Sequence, residues 1–169
     1  AAGIGLCVNS ASDPRIPLRL SRESSFFKLY MNDVGLLAAM YGDGIQLRIL
    51  SGETEINFGS VYENFVAQEL HAHGFPLYYF SSRKVGEVDF LVEHNGLVKP
   101  IEVKSGRHYK SYPALDNLLG NAEYGIKQSV VLSNANYSRD EKSEYLPIYF
   151  VMFLQRDRIP EDMIYRLPL

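Results

Sequence analysis

Cysteine is almost missing from this chain. Cys7 stands alone, so no intrachain disulfide can form. Packing and hydrogen bonds must hold the fold, which suits a reducing cytoplasm. Long apolar runs are missing too. None approaches the ~20 residues that a membrane helix needs. The longest, Ile148 to Leu154, fits a buried strand. Nothing reads as a signal peptide. An excess of positive charge is also lacking: 17 Lys+Arg against 20 Asp+Glu leave a net charge of −3. An autonomous nucleic-acid binder carries a basic surface, so any such contact falls to a local patch or to another part of a larger protein. No G-x-x-x-x-G-K-[ST] occurs, which excludes P-loop nucleotide binding by these residues. Internal repeats and low-complexity segments are absent as well.

What is present is enough for one domain. The 169 residues are 46% apolar, sufficient for a sizeable core. Ile4 to Val8 reads as a short strand, and Asn9 to Pro17 as a Ser/Asp/Pro-rich loop. Phe26 to Met31 reads as a second strand able to pair back on the first. Asp33 is the predicted N-cap of a short helix over Val34 to Met40, ended by Gly42-Asp43-Gly44. Ser60 to His73 carries Val61, Tyr62, Phe65, Val66 and Leu70 at helical spacing, with Gly74 as C-cap. His71 and His73 are two apart, so they do not face each other; a place near the helix C-terminus accounts for them.

The period then changes. Leu77 to Phe80 is an aromatic strand, and Ser81 to Gly86 a turn with Arg83 and Lys84. Glu87 to Glu93 alternates, His94-Asn95-Gly96 is a hairpin turn, and Leu97 to Lys104 returns. Pro100 cannot donate to a ladder, which predicts a bulge or an exposed edge there. Tyr112 to Tyr124 reads as a helix and Ser129 to Ser133 as a strand. A polar loop to Glu144 and a last strand over Ile148 to Leu154 follow. This order predicts an α/β domain with a mixed sheet.

The hairpin carries the chemistry. The alternation predicts one face with Val88, Phe90, Val92, Ile101 and Val103, packed on a core. The other carries Asp89, Glu102 and Lys104. Carboxylates placed close together repel, and a divalent cation is one compensator. Mg²⁺ takes hard oxygen ligands, with one or two carboxylates plus waters and phosphate oxygens. Lys104 is placed to orient an attacking water or to neutralise a pentacovalent phosphate.

Asp89, then a hairpin, then Glu102-Val103-Lys104 resembles the D…(E/D)-x-K signature of the PD-(D/E)XK, or restriction-endonuclease-like, superfamily. Gly59-Ser60-Val61-Tyr62-Glu63 … Leu70 … Gly74-Phe75 is similar to the first helix of Holliday-junction-resolvase-like members, where a glutamate at the position of Glu63 completes the metal site. Phe27 to Leu37 and Pro100 to Gly106 both look like the uncharacterised C-terminal domain of prokaryotic AAA-type ATPases. Val88, not Pro, precedes Asp89.

The resemblance implies a restriction-endonuclease-like core over residues 51–169, a mixed sheet flanked by helices. Residues 1–50 would be a lead-in, the end of a winged-helix-like segment and a short helix. It implies a Mg²⁺- or Mn²⁺-dependent nuclease hydrolysing phosphodiester bonds in DNA. Glu63, Asp89 and Glu102 would be metal ligands, and these three with Lys104 the catalytic set. It also implies a chain that is the C-terminal fragment of an ATPase, whose ATPase module would precede Ala1.

Each element has a plainer reading. Ser60-x-x-Glu63 is also a capping box, in which the glutamate serves the helix end. Asp89 and Glu102 also suit a solvated sheet face, and Lys104 an ordinary cross-strand ion pair. Arg83, Lys84, Arg107 and Lys110, with Tyr109 and Tyr112, suit phosphate contacts or solvated loops equally. A catalytically inactive DNA-recognition or assembly module of the ATPase is the alternative to a nuclease.

Overall fold

The computed structural model describes residues 3–42, 44–53, 58–106 and 112–156. Strands β1 (Gly5–Ala11) and β2 (Arg22–Met31) form an antiparallel pair. Helices α1 (Val34–Met40), α2 (Ile45–Leu50) and α3 (Gly59–Ala72) follow. Then come β3 (Tyr78–Ser82), β4 (Gly86–His94), β5 (Leu97–Lys104), α4 (Pro113–Gly120) and β6 (Ser129–Ser133). Two short strands, β7 (Ser138–Arg139) and β8 (Ser143–Pro147), precede a 3₁₀ helix over Ile148–Phe153. All eight strands join one mixed sheet in the order β2-β1-β3-β4-β5-β6-β8-β7. Mixed α/β architecture is therefore as the sequence predicts. No described helix is long and apolar enough to cross a membrane.

Each face of the sheet buries its own core. On one, Leu6, Val8, Tyr79, Phe90, Val92, Ile101, Val103, Val130 and Leu132 pack with Val66, Ala67 and Leu70 of α3. On the other, Tyr78, Phe80, Val88, Leu91 and Val131 pack with Leu115 and Leu118 of α4. Cores on both faces explain why β6 is buried at every residue and reads as a continuous apolar run.

The strand pattern places Val88 with Phe90 and Val92, and the structure does not. Tyr78 pairs with Leu91 but Phe80 pairs with Val88, so Asp89 and Phe90 together oppose Tyr79. This is a β-bulge, and it re-aims side chains on its two sides. Val88 and Leu91 consequently face α4, while Phe90 and Val92 face α3.

Other boundaries also move. The apolar run from Ile148 is a 3₁₀ helix, not a strand; Val151 is buried and Tyr149, Met152 and Phe153 are exposed. Pro147, extended before it, ends the ladder of β8, and the polar loop predicted before Glu144 contains β7 and the start of β8. The helix predicted from Tyr112 to Tyr124 stops at Gly120, and a 3₁₀ turn covers Ala122–Tyr124. Pro100 makes no bulge and is buried: it pairs with Leu91, and the β5–β6 ladder starts one residue later, at Ile101. Residues 1–50, read as a lead-in, supply β1 and β2 to the common sheet. By contrast α1 forms as expected, with Asp33 Oδ1 accepting from the Leu36 N–H at 2.8 Å.

One turn glycine is needed for two reasons. Gly86 has φ +95°, and a Cβ there would stand 3.0 Å from Ala114 Cβ on α4. Gly96 also has positive φ, +70°, but faces open space. Gly86→Ala should therefore cost roughly 1–3 kcal/mol in urea unfolding, and more than Gly96→Ala. Equal costs would mean that α4 yields to the added methyl group.

Candidate metal centre

The site is built where two strands separate. The β4–β5 ladder runs from His94↔Leu97 to Phe90↔Ile101. Beyond it, the Val103 N–H donates to Asp89 Oδ2 at 2.8 Å. Val103 also pairs with Leu132 on the other side, because β5 runs parallel to β6. The bulge thus converts one backbone ladder position into a carboxylate clamp.

Glu102 comes to the same opening from the other strand. It is paired with Val131 of the α4-side core, whereas Asp89 is approached by Lys28 from the α3 side. The two carboxylates therefore meet across the gap, not side by side on one face as the alternation predicts. The Glu102 side chain is 6% exposed; its Oε1 accepts from Lys104 Nζ at 2.7 Å. Its Oε2 is buried and has no hydrogen-bond partner among the described residues. A lone carboxylate oxygen without a partner is costly in a protein interior.

Electrostatics reflect this crowding. Burial, then the charge of Glu102, then that of Glu63, push the Asp89 carboxyl up to about 7; the Val103 N–H and Lys28 only partly oppose them. Burial likewise raises Glu102, against the pull of Lys104 and of the Asp89 backbone N–H. Burial is the leading cause for both, with Glu63 adding to each and Glu102 adding to Asp89.

Glu63 heads the buried side of α3. With Val66, Ala67 and Leu70 it follows the i, i+3, i+4, i+7 spacing of one helical stripe. The capping box does not form. Phe58 is the N-cap and makes no side-chain cap, Ser60 Oγ is hydrogen-bonded to Tyr41 OH, and Glu63 Oε2 accepts from Tyr30 OH at 2.7 Å. Asn64 fixes this docking: its Oδ1 accepts from Met31 N at 2.7 Å and its Nδ2 donates to Met31 O at 3.0 Å. Burial and Glu63 together hold the Tyr30 hydroxyl far above the ordinary tyrosine range.

The structure adds a group that the strand pattern does not single out. Cross-strand partners share a face, and Lys28 lies opposite Val8 of the α3-side core. Its side chain crosses the sheet above Tyr79, 5.2 Å from the ring centroid. Lys28 Nζ ends 2.6 Å from Glu87 Oε1 and 4.0 Å from Asp89 Oδ1. Its sequence signal is only that β2 pairs back on β1. Because β1 runs parallel to β3, that pairing brings position 28 to the mouth of the site. Glu93, on the same strand as Asp89, is not part of it: its Oε1 accepts from Leu18 N at 2.6 Å. Arg83 and Lys84 are exposed in the turn before β4. Arg107, Tyr109 and Lys110 lie outside the described residues. Tyr112 is buried and hydrogen-bonded to Tyr145, away from solvent.

These side chains suit a divalent cation in donor type. Asp89 and Glu102 offer hard oxygens, Glu102 Oε2 has no partner among the described residues, and both carboxyls are raised, first by burial. Among the described residues no three of His, Cys, Asp and Glu form a group that could hold a metal ion, so Glu63, Asp89 and Glu102 are not brought together as one three-ligand set.

Fold and site together define a mixed α/β domain with a buried carboxylate pair beside a lysine at a strand opening. The chain belongs to the family described as Domain of unknown function (DUF4143), which matches residues 58–151, over half of the chain. This is a domain found in AAA-ATPase-associated proteins. No curated protein and no solved structure matches the chain.

Proposed function

We infer that the domain is a Mg²⁺-dependent nuclease with a restriction-endonuclease-like core, acting on phosphodiester bonds in DNA. The observation that carries this reading is the pairing of half-buried Asp89 with buried Glu102, whose Oε2 has no partner among the described residues, with Lys104 at its edge. Asp89 and Glu102 would hold the cation, which supplies Lewis acidity toward a phosphate oxygen when bound. Glu63 would assist from α3. Lys104 would place the attacking water or neutralise charge on the phosphate. Mn²⁺ satisfies the same oxygen ligands.

A second reading has its own support. The net charge of −3 favours a catalytically inactive DNA-recognition or assembly module in an AAA-type ATPase.

Calorimetric titration of MgCl₂ and MnCl₂ separates the two. Wild type is expected to bind, and Asp89→Ala/Glu102→Ala to stay folded by circular dichroism without binding. Absence of binding by wild type, both alone and with a phosphodiester oligonucleotide present, would favour the inactive module.

A further inference from the structure

Lys28 belongs to the edge strand β2, yet its ammonium sits inside the carboxylate site. Its side chain is 22% exposed and spans the sheet from β2 to β4 over the Tyr79 ring. A buried ammonium is costly unless paired. Glu87, Asp89 and Glu63 are the charged groups that face it, and they outweigh that cost. Lys28 is thus the cation on the Asp89 side of the pair, as Lys104 is on the Glu102 side.

The two lysines are not equivalent. Lys104 reaches Glu102 at hydrogen-bond distance, 2.7 Å. Lys28 is anchored on Glu87 at 2.6 Å and stands only 4.0 Å from Asp89, too far for a hydrogen bond. Asp89 Oδ1 is therefore near a positive charge but not bonded to it. A divalent cation could take that oxygen while Lys28 remains on Glu87, with two like charges then held a few ångströms apart.

We propose that Lys28 is the resident counter-ion of this site, placing a positive charge beside Asp89 before metal arrives and competing with the divalent cation for it. This rests on the reading of Asp89 and Glu102 as metal ligands. Its consequence is a site that binds metal less tightly than its carboxylates alone would, so that full occupancy requires the extra oxygens of a bound phosphate.

The test is titration of MnCl₂ and MgCl₂ into the full chain carrying Lys28→Met, Lys28→Arg or no change. Removal of the competing charge should tighten metal binding by about tenfold. Arginine, which keeps the charge, should stay near wild type. A purely structural lysine behaves oppositely, since its loss would loosen Asp89 and weaken metal binding in Lys28→Met. Equal or weaker affinity in Lys28→Met overturns the proposal while the metal site stands. No binding by any of the three proteins, with and without oligonucleotide, removes the metal-site reading and the proposal with it. Lys28→Gln serves the same comparison if the methionine variant does not fold.

Discussion

Asp89→Asn should make the metal-free protein more stable at neutral pH, although it removes a central residue of the site. Asp89 is 13% exposed at its side chain and meets the like charges of Glu102 and Glu63. Its carboxyl is raised from 3.8 to about 7 in the fold. The folded state therefore holds a proton on Asp89 that the unfolded chain gives up. Stability from this group is complete below about pH 4 and is lost as pH rises toward 7. The full displacement corresponds to on the order of 4 kcal/mol. Asparagine cannot ionise, and its side-chain oxygen still accepts from the Val103 N–H. Other carboxylates titrate in the same range, so the quantity to measure is the difference between variant and wild type. Thermal unfolding from pH 4 to 8 should show that difference growing with pH in favour of Asn. Saturating Mn²⁺ should then raise wild type alone, because a cation repays the repulsion only where the carboxylate remains. A constant difference across the range would mean that Asp89 titrates in the fold as it does in the unfolded chain.

Why this pair was legible in the sequence, while its arrangement was not, follows from the physics of strands. Asp89 and Glu102-x-Lys104 stand out because charged residues interrupt strands that otherwise read as core. Helix α3 is equally legible, since its period and its Gly74 terminus are local. The turn at Asn95-Gly96 is also local: both residues have positive φ, and Asn-Gly supplies it. The bulge at Asp89 and Phe90 is different. It is set by how β4 meets β3 at Tyr79, and no single residue in β4 announces it. One inserted residue inverts the facing of Val88 relative to Phe90, so strict alternation places Val88 in the wrong core. Lys28 was hidden for a similar reason. Its place in the site depends on two pairings: β2 with β1, which the sequence suggests, and β1 with β3, which it does not. The run Ile148–Leu154 shows the converse limit. Hydrophobicity told of burial, but only Val151 is buried, because Pro147 ends the strand before the run begins.

Lys104→Met and Glu102→Gln should lose DNA cleavage by different routes, and the difference assigns their roles. Glu102→Gln removes an oxygen ligand charge, so divalent binding and Mg²⁺-dependent cleavage should fall together. Lys104→Met leaves both carboxylates in place and should bind Mn²⁺ at least as well as wild type, since a neighbouring positive charge is gone. Cleavage by it should nevertheless fall by about 10²–10⁴-fold, the range for losing a group that positions water or stabilises transition-state charge. The competing account makes Lys104 an ion-pair partner only. Under that account Lys104→Met leaves Glu102, 6% exposed, as an unpaired buried charge, and stability falls by about 3–5 kcal/mol. The double variant Lys104→Met/Glu102→Gln would then recover that stability. Saturating Mn²⁺ distinguishes the cases, because bound metal replaces the lost ammonium as the partner of Glu102. If metal restores the fold of Lys104→Met and cleavage returns with it, Lys104 serves only the pair. If the fold returns and cleavage does not, the lysine acts on the reacting phosphate or its water. A wild type that binds metal and cuts neither single- nor double-stranded DNA places both residues in an inactive module that retains its cation. The acidic pair would then serve to hold that cation at the strand opening.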